Sequence, residues 1–182
     1  ILLSRGTPLS VEDVLRGCLR INAEGNGVVG PSAFLSPNSM LLMGQLDTLD
    51  RLHGWLKENH PGKTSLRKNK EKWPPLHTPI VWDRQIPNRA ANLMHTLPGG
   101  FSAPQPPVLS MVTGKSSYHD HNMRELLHQW VDHPQQLWDV VYEVLSSGIE
   151  TIIHVGPQPN IIPATFQRLR DNVESQTENS IG

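Results

Sequence analysis

His77 is the residue of this sequence best placed to act as a general base. It stands between Pro75 and Pro79, and these prolines restrict the backbone so that the imidazole is held in a fixed direction. A general base needs such positioning. The 182 residues contain no Gly-x-Ser-x-Gly turn, the strained turn that presents a reactive serine. The residue types alone therefore leave open the alternative that His77 is a surface or packing histidine.

A second group of histidines has the residue types of a metal site. His119, Asp120 and His121 are consecutive, and His128 and His133 follow. Imidazole and carboxylate groups bind Zn²⁺ or Ni²⁺. The spacing fits poorly, because in a helix His121 and His128 are two turns apart and His133 lies past the helix end. We expect a solvated histidine-rich segment and no metal site.

Composition and charge exclude several classes of protein. Lys and Arg total 16 and Asp and Glu total 17, a formal net charge of -1, so no electrostatic footprint for nucleic acid or anionic membrane is present. The one cysteine, Cys18, cannot form an internal disulfide, and no run of about eighteen apolar residues could cross a bilayer. We expect a cytoplasmic protein with no nucleic-acid or membrane partner.

Residues 1–72 are predicted to form one domain with the element order β-α-β-β-α-β. Ser10 is placed as the N-cap of the first helix, and residues 36–39 as a hairpin loop. The order is that of the split βαβ, ferredoxin-like pattern. The expected strands are residues 1–4, 28–35, 40–44 and 64–70, and the helices follow Ser10 and span about 46–56.

Residues 73–170 differ from residues 1–72 in their pattern of proline-rich and apolar runs, and residues 171–182 form a polar tail. A loop rich in proline is followed by apolar runs that indicate half of an α/β domain. The expected strands are 108–112 and 151–155, and the expected helices are 123–130, 136–145 and 162–169, with a weakly helical run at 84–94.

Four motifs in order carry a resemblance to a known family. They are Phe34-x-Ser36-Pro37-x-x-Met40-x-x-x-Gly44, Leu76-His77-Thr78-Pro79, Pro107-Val108-Leu109-Ser110-x-Val112-Thr113-Gly114 and His154-Val155-Gly156-Pro157. Over residues 1 to about 170 the chain resembles the malonyl-CoA:acyl-carrier-protein transacylases and the related acyltransferase domains of polyketide synthases.

The resemblance implies a fold class and a reaction. The fold is α/β, with a ferredoxin-like subdomain inserted into an α/β-hydrolase-like acyltransferase domain and the active site between them. The reaction is ping-pong acyl transfer, in which a serine takes malonyl from coenzyme A and passes it to the phosphopantetheine thiol of acyl carrier protein. Malonyl-CoA is then a substrate, and no cofactor is implied.

The resemblance also assigns roles to residues of this chain. His77 matches the family's base, and Gln129 is the nearest match to the residue whose backbone carbonyl orients that base, with Trp130 almost as good a candidate. Ser39 and Leu76 match positions that line the acyl-pantetheine cleft.

A basic run at residues 63–72 has two interpretations. Arg67, Lys68 and Lys70 could dock an acidic carrier protein or contact coenzyme A phosphates, or they form a solvated edge.

The family's serine elbow, its Gly-Gln-Gly segment and its specificity arginine all precede the ferredoxin-like insert and have no match here. The chain opens with Ile1, so we expect a C-terminal fragment of a monomeric acyl-carrier-protein S-malonyltransferase of fatty acid biosynthesis, inactive alone. The alternatives are a non-catalytic module that docks carrier protein and an acyltransferase domain cut from a polyketide synthase.

Overall fold

The computed structural model of the chain describes residues 2–4, 9–68, 74–82, 84–153, 155–156, 167 and 170, with the backbone alone at residues 2–4. The strands are β1 (Leu2–Ser4), β2 (Val29–Ser36), β3 (Ser39–Gly44) and β4 (Thr64–Leu66). The α-helices are α1 (Val11–Asn22), α2 (Thr48–Asn59), α3 (Ile86–Thr96), α4 (Met123–Asp132) and α5 (Leu137–Ser146), with a short 3₁₀ helix at Pro79–Val81.

Helix α1 begins where the sequence predicts. Ser10 is extended (φ -68°, ψ 151°), and its hydroxyl accepts a hydrogen bond from the backbone N–H of Asp13 at 3.0 Å. This bond satisfies one of the amides that a helix N-terminus leaves without a partner. Glu12 and Asp13 also place negative charge in the first turn, which the helix dipole favours.

The four strands form one antiparallel sheet in the order β2-β3-β1-β4. With α1 and α2 between them, the elements follow one another as β-α-β-β-α-β, the order predicted from the sequence. Strand β4 ends at Leu66, earlier than the predicted 64–70. Lys70 lies outside the described residues.

The core lies between this sheet and the two helices α1 and α2. Its apolar side chains are buried together, and burying each large one contributes about 1.5–3 kcal/mol. They are Leu9, Val14, Cys18, Ile21, Val29, Met40, Leu42, Leu52 and Leu56. Burial raises the pKa of the Cys18 thiol to about 11, so the thiol stays neutral near pH 7 and is a poor nucleophile.

The second half is helical, and its two predicted strands are wrong among the described residues. No strand forms at 108–112: residues 108–110 are irregular and a turn follows at 111–113. Ser110 donates its N–H to the Lys115 carbonyl at 2.8 Å, and its carbonyl accepts from the Gly114 N–H at 2.8 Å. Residues 151–153 and 155 are irregular, and Ile153 is 80% exposed. A strand needs a neighbouring strand for its backbone groups, and none of the described residues supplies one here. The predicted helix 162–169 falls almost wholly outside the described residues.

Helices α3, α4 and α5 match the predicted runs 84–94, 123–130 and 136–145 to within two residues at each end. None of the helices within the described part of the chain is long and apolar enough to span a membrane.

The contact between α1 and α2 depends on a glycine. A Cβ built on Gly17 lies 2.8 Å from Leu52 Cδ1 and 2.9 Å from the Trp55 ring, whereas one built on Gly54 has nothing within 4 Å. We predict that Gly17→Ala lowers the free energy of unfolding by about 1–3 kcal/mol through overpacking.

The control, Gly54→Ala, should raise the free energy of unfolding by roughly 0.5–1 kcal/mol, because alanine has the higher helix propensity. Urea denaturation measures both changes. Equal effects of the two substitutions would contradict the proposed close approach of α1 and α2.

Candidate functional site

His77 lies in a tight loop with an uncommon backbone conformation. Its φ is 61°, in the left-handed region that residues other than glycine rarely adopt and that costs about 1–3 kcal/mol. Thr78 is extended (φ -137°, ψ 158°), because the residue before a proline avoids the helical region. The Thr78 side chain is fully buried, and its hydroxyl donates to the Pro75 carbonyl at 2.6 Å. This hydrogen bond joins Pro75 to Thr78 across the loop that contains His77.

The C-terminal end of α4 holds His77 by two hydrogen bonds. The backbone N–H of His77 donates to the Val131 carbonyl at 2.8 Å, and its ring Nδ1 lies 2.5 Å from the Trp130 carbonyl oxygen. A carbonyl oxygen only accepts, so Nδ1 carries the proton and the neutral ring keeps its lone pair on Nε2. The His77 and Trp130 rings also meet edge to face, 4.8 Å apart. The half-buried imidazole is therefore oriented as a general base requires.

The carbonyl that contacts the His77 ring is that of Trp130, the second candidate from the sequence, and not that of Gln129, the first. The Gln129 carbonyl accepts the backbone N–H of His133 at 2.9 Å, as the helix continues, and its side chain donates to Glu125 at 3.0 Å. Trp130 differs because the residue four positions later is Pro134, which has no N–H to donate. The Trp130 carbonyl is left free of the helical ladder and accepts from His77 instead.

Two buried polar residues that the sequence analysis did not select join the sheet to the His77 loop. The Ser32 hydroxyl donates to the Leu76 carbonyl at 2.9 Å. Gln135 pairs with β2 as an isolated parallel bridge: its N–H donates to the Ser32 carbonyl at 2.8 Å, and its carbonyl accepts from the Phe34 N–H at 2.9 Å. Ser32 is 1% and Gln135 6% exposed. A polar residue inside an apolar strand, as Ser32 is, was the available signal.

The predicted cleft residues Ser39 and Leu76 lie in different surroundings. Leu76 directly precedes His77 and its side chain is partly exposed. Ser39 begins β3, is buried, and borders a small cavity with Leu9, Val11 and Thr64. Among the described residues no hydrogen bond links Ser39 to the His77 loop, so its role in a cleft stays a prediction.

The predicted docking residues begin after β4. Arg67 and Lys68 are exposed, and Lys68 forms an ion pair with Asp50 of α2. An exposed pair of this kind contributes at most about 1 kcal/mol to stability. Lys70 falls outside the described residues, and nothing in the described geometry tests a docking role.

His119, His121 and His133 make local contacts, whereas His128 Nδ1 is buried with no hydrogen-bond partner among the described residues. His119 Nδ1 accepts from the His121 N–H at 3.3 Å, and Asp120 accepts the Ala103 N–H at 2.6 Å. His133 Nδ1 lies 2.6 Å from the buried Asp132 carboxylate. Within the described ranges no three His, Cys, Asp or Glu side chains are grouped to hold a metal ion.

No family model matches the chain, and no curated protein matches it in sequence. Solved structures do match it in fold. FabD from Acinetobacter baumannii has a TM-score of 0.70 at 16% identity, with 88% of this chain and 48% of that chain covered. The malonyl-CoA:acyl carrier protein transacylase (FabD) of Xanthomonas oryzae has a TM-score of 0.67 at 25% identity, covering 90% and 48%.

A third structure, a malonyl-transacylase in complex with its type II PKS acyl-carrier protein, has a TM-score of 0.64 at 21% identity and covers 90% of this chain and 49% of that one. The chain spans about half the length of the structures it matches. The resemblance inferred from the motifs is therefore confirmed at the level of the fold: the chain, with its helices and small antiparallel sheet, is similar to part of the malonyl-CoA:acyl-carrier-protein transacylase fold.

Proposed function

We propose that this chain is the C-terminal part of an acyl-carrier-protein S-malonyltransferase. The single observation that carries the proposal is His77, whose Nδ1 faces the Trp130 carbonyl and whose Nε2 is left as the base. The likeness in fold to malonyl-CoA:acyl-carrier-protein transacylases supports the reaction class. Since the chain spans half the length of those structures, the activity, substrates and partners of the whole protein belong to the proposal.

The mechanism is a two-step acyl transfer in which His77 moves one proton each way. His77 Nε2 takes the proton of a serine supplied by the other half, and the serine oxygen attacks the thioester carbonyl of malonyl-CoA. The C–S bond breaks, and the imidazolium returns the proton to the departing thiolate. In the second step His77 takes the proton of the carrier's phosphopantetheine thiol, the thiolate attacks the acyl-serine, and the serine oxygen recovers the proton.

The Trp130 carbonyl takes the place of the carboxylate that hydrogen-bonds the catalytic histidine in many hydrolases. It fixes the tautomer, and its dipole stabilises the imidazolium that forms in each step. No buried carboxylate is needed behind the ring, so no charge has to be desolvated at this position.

In this proposal the two halves of the chain belong to different subdomains. Strands β1–β4 with α1 and α2 form the ferredoxin-like insert, and residues 73–170 form part of the α/β-hydrolase-like domain. Exposed apolar side chains in the second half support the proposal that this domain is incomplete here, because the surface of a complete monomeric protein rarely leaves so many apolar groups exposed in one short segment. They are Ile149, Ile152, Ile153 and Val155. The remainder of the domain would cover them.

The proposed partners are malonyl-CoA and acyl carrier protein, in fatty acid biosynthesis in the cytoplasm, with a monomeric enzyme. Leu76 and Ser39 are proposed to line the acyl-pantetheine cleft. A polyketide pathway is the second candidate, because one matched structure holds a type II PKS acyl-carrier protein with its malonyl-transacylase.

We predict that replacing His77 by asparagine in the full-length protein lowers acyl transfer at least about 10²-fold, the usual scale for loss of a general base. Asparagine tolerates the left-handed conformation, so the loop should persist without the imidazole. Stopped-assay transfer of radiolabelled malonyl to carrier protein measures the rate. Near wild-type turnover by a folded His77→Asn protein would refute the proposed role.

Charge reversal tests the docking surface. We predict that Arg67→Glu, Lys68→Glu and Lys70→Glu together raise KM for carrier protein, mainly through slower association, and leave malonyl-CoA hydrolysis unchanged. The control reverses the exposed Arg16, Arg20 and Arg89, which makes the same change in net charge elsewhere. Equal KM values for the two triple variants at low salt would contradict a docking role and favour the interpretation of the basic run as a solvated edge.

The 182 residues expressed alone should form no acyl-enzyme. They contain no serine in an elbow, and a base without an activated nucleophile cannot carry out covalent transfer. Intact mass after incubation with malonyl-CoA measures the adduct, with a protein that carries both halves as the positive control. A stable malonyl adduct on this chain would place the nucleophile within it and contradict the proposal.

A further inference from the structure

We infer that Ser32 and Gln135 are positioning residues for His77, which together hold the strained loop and the Trp130 carbonyl against strand β2. The inference rests on the proposed function of His77 as a base. Neither residue touches a reacting atom; each acts on the groups that orient the imidazole.

The His77 loop needs support from outside itself. A left-handed φ at a residue other than glycine is unfavourable and persists only when surrounding contacts impose it. The bonds from His77 to Trp130 and Val131 fix one side of the loop to α4. These two bonds do not fix the positions of α4 and the loop relative to the sheet.

Ser32 fixes the other side of the loop. Its hydroxyl donates to the carbonyl of Leu76, the residue immediately before His77, at 2.9 Å. Ser32 is almost fully buried, so water cannot replace this bond, and its loss would leave the Leu76 carbonyl without this donor. The loop could then relax from the left-handed conformation and turn the imidazole.

Gln135 fixes the end of α4 to the same residue of β2. Its N–H donates to the Ser32 carbonyl, and its carbonyl accepts from Phe34. Its side-chain amide donates to the His133 carbonyl at 3.2 Å and approaches the Trp130 carbonyl at 3.5 Å. These are carbonyls at the point where Pro134 interrupts the helical ladder, so the amide supplies donors that the backbone lacks.

The contacts close a ring. It runs from Ser32 to Leu76 and His77, from His77 to Trp130 at the end of α4, and from there through Gln135 back to Ser32. Opening the ring at either side chain should misplace the imidazole without removing it. Small misplacements of a reacting group cost rate out of proportion to their size.

Two matched pairs of variants in the full-length protein test the inference. Ser32→Ala is compared with Ser36→Ala, a buried serine of the same strand whose hydroxyl bonds only Asn38 among the described residues. Gln135→Met, which keeps the backbone bonds to β2 and removes the side-chain amide, is compared with Gln136→Met, whose hydrogen bonds among the described residues use the backbone alone and are retained. Ser32→Thr keeps the hydroxyl and should restore activity.

We expect Ser32→Ala and Gln135→Met to lower kcat about tenfold or more with KM for malonyl-CoA unchanged, and the two controls to leave both constants as they are. The imidazole ¹⁵N spectrum gives a readout that does not depend on turnover. Wild-type neutral His77 should carry its proton on Nδ1 alone. Ser32→Ala and Gln135→Met should each show a mixture of this form with the Nε2–H tautomer.

The outcomes separate the inference from the proposed function. Unchanged kcat and tautomer in Ser32→Ala and Gln135→Met, while His77→Asn is inactive, would overturn the positioning roles and leave the function intact. If His77→Asn stays active, the function fails, and the tautomer spectra alone decide whether Ser32 and Gln135 hold the ring. Should one variant not fold, the other pair tests the same ring from its opposite side.

Discussion

The interruption of α4 at Pro134 is the constraint on which the candidate site depends. A helix carbonyl normally accepts from the amide four residues later, and Pro134 has no amide hydrogen to offer Trp130. The freed carbonyl points out of the helix end and accepts from His77 Nδ1. The Val131 carbonyl, also released at this helix end, accepts the His77 backbone N–H. Pro134 thus frees the Trp130 carbonyl, and the Val131 carbonyl is free because the Gln135 N–H, its partner in a continued helix, donates to the Ser32 carbonyl instead.

In this geometry His77 has an unfavourable backbone conformation, and the surrounding polar contacts stabilise the loop. Thr78, Ser32 and Gln135 are all buried, and each makes a hydrogen bond that water cannot replace. Two of these residues link the loop and α4 to β2, which is itself fixed by the apolar core under α1 and α2. The small sheet is therefore the scaffold against which the loop and the helical half hold His77.

The sequence predicted local features well where a single mechanism decides them. Ser10 caps α1 because its hydroxyl reaches the Asp13 amide, and the apolar spacing of α1 and α2 produced the predicted element order. His77 could be selected because prolines flank it. The sequence leaves Gln129 and Trp130 as candidates for the carbonyl that contacts the ring, and the structure has the Trp130 carbonyl there; Pro134, four residues after Trp130, was a readable signal for that choice.

The errors have physical reasons of the opposite kind. The apolar run at 108–112 predicts a strand, but the Ser110 N–H bonds the Lys115 carbonyl across a turn. The run at 151–155 also looks like a strand, and whether such a run pairs depends on neighbours that periodicity cannot supply. The sequence analysis does not select Ser32 and Gln135, because their contacts join residues that are distant in sequence. The Ser32 hydroxyl, for example, bonds the Leu76 carbonyl, 44 residues later.

The central claim is that His77 faces a serine nucleophile with its Nε2. The most direct measurement is a crystal structure of the full-length protein trapped as the malonyl-enzyme. The account predicts that His77 Nε2 lies within about 3.2 Å of the acylated serine oxygen while Nδ1 donates to the Trp130 carbonyl. An acylated residue beyond reach of His77, or a His77 ring turned away from Trp130 in that state, would contradict it.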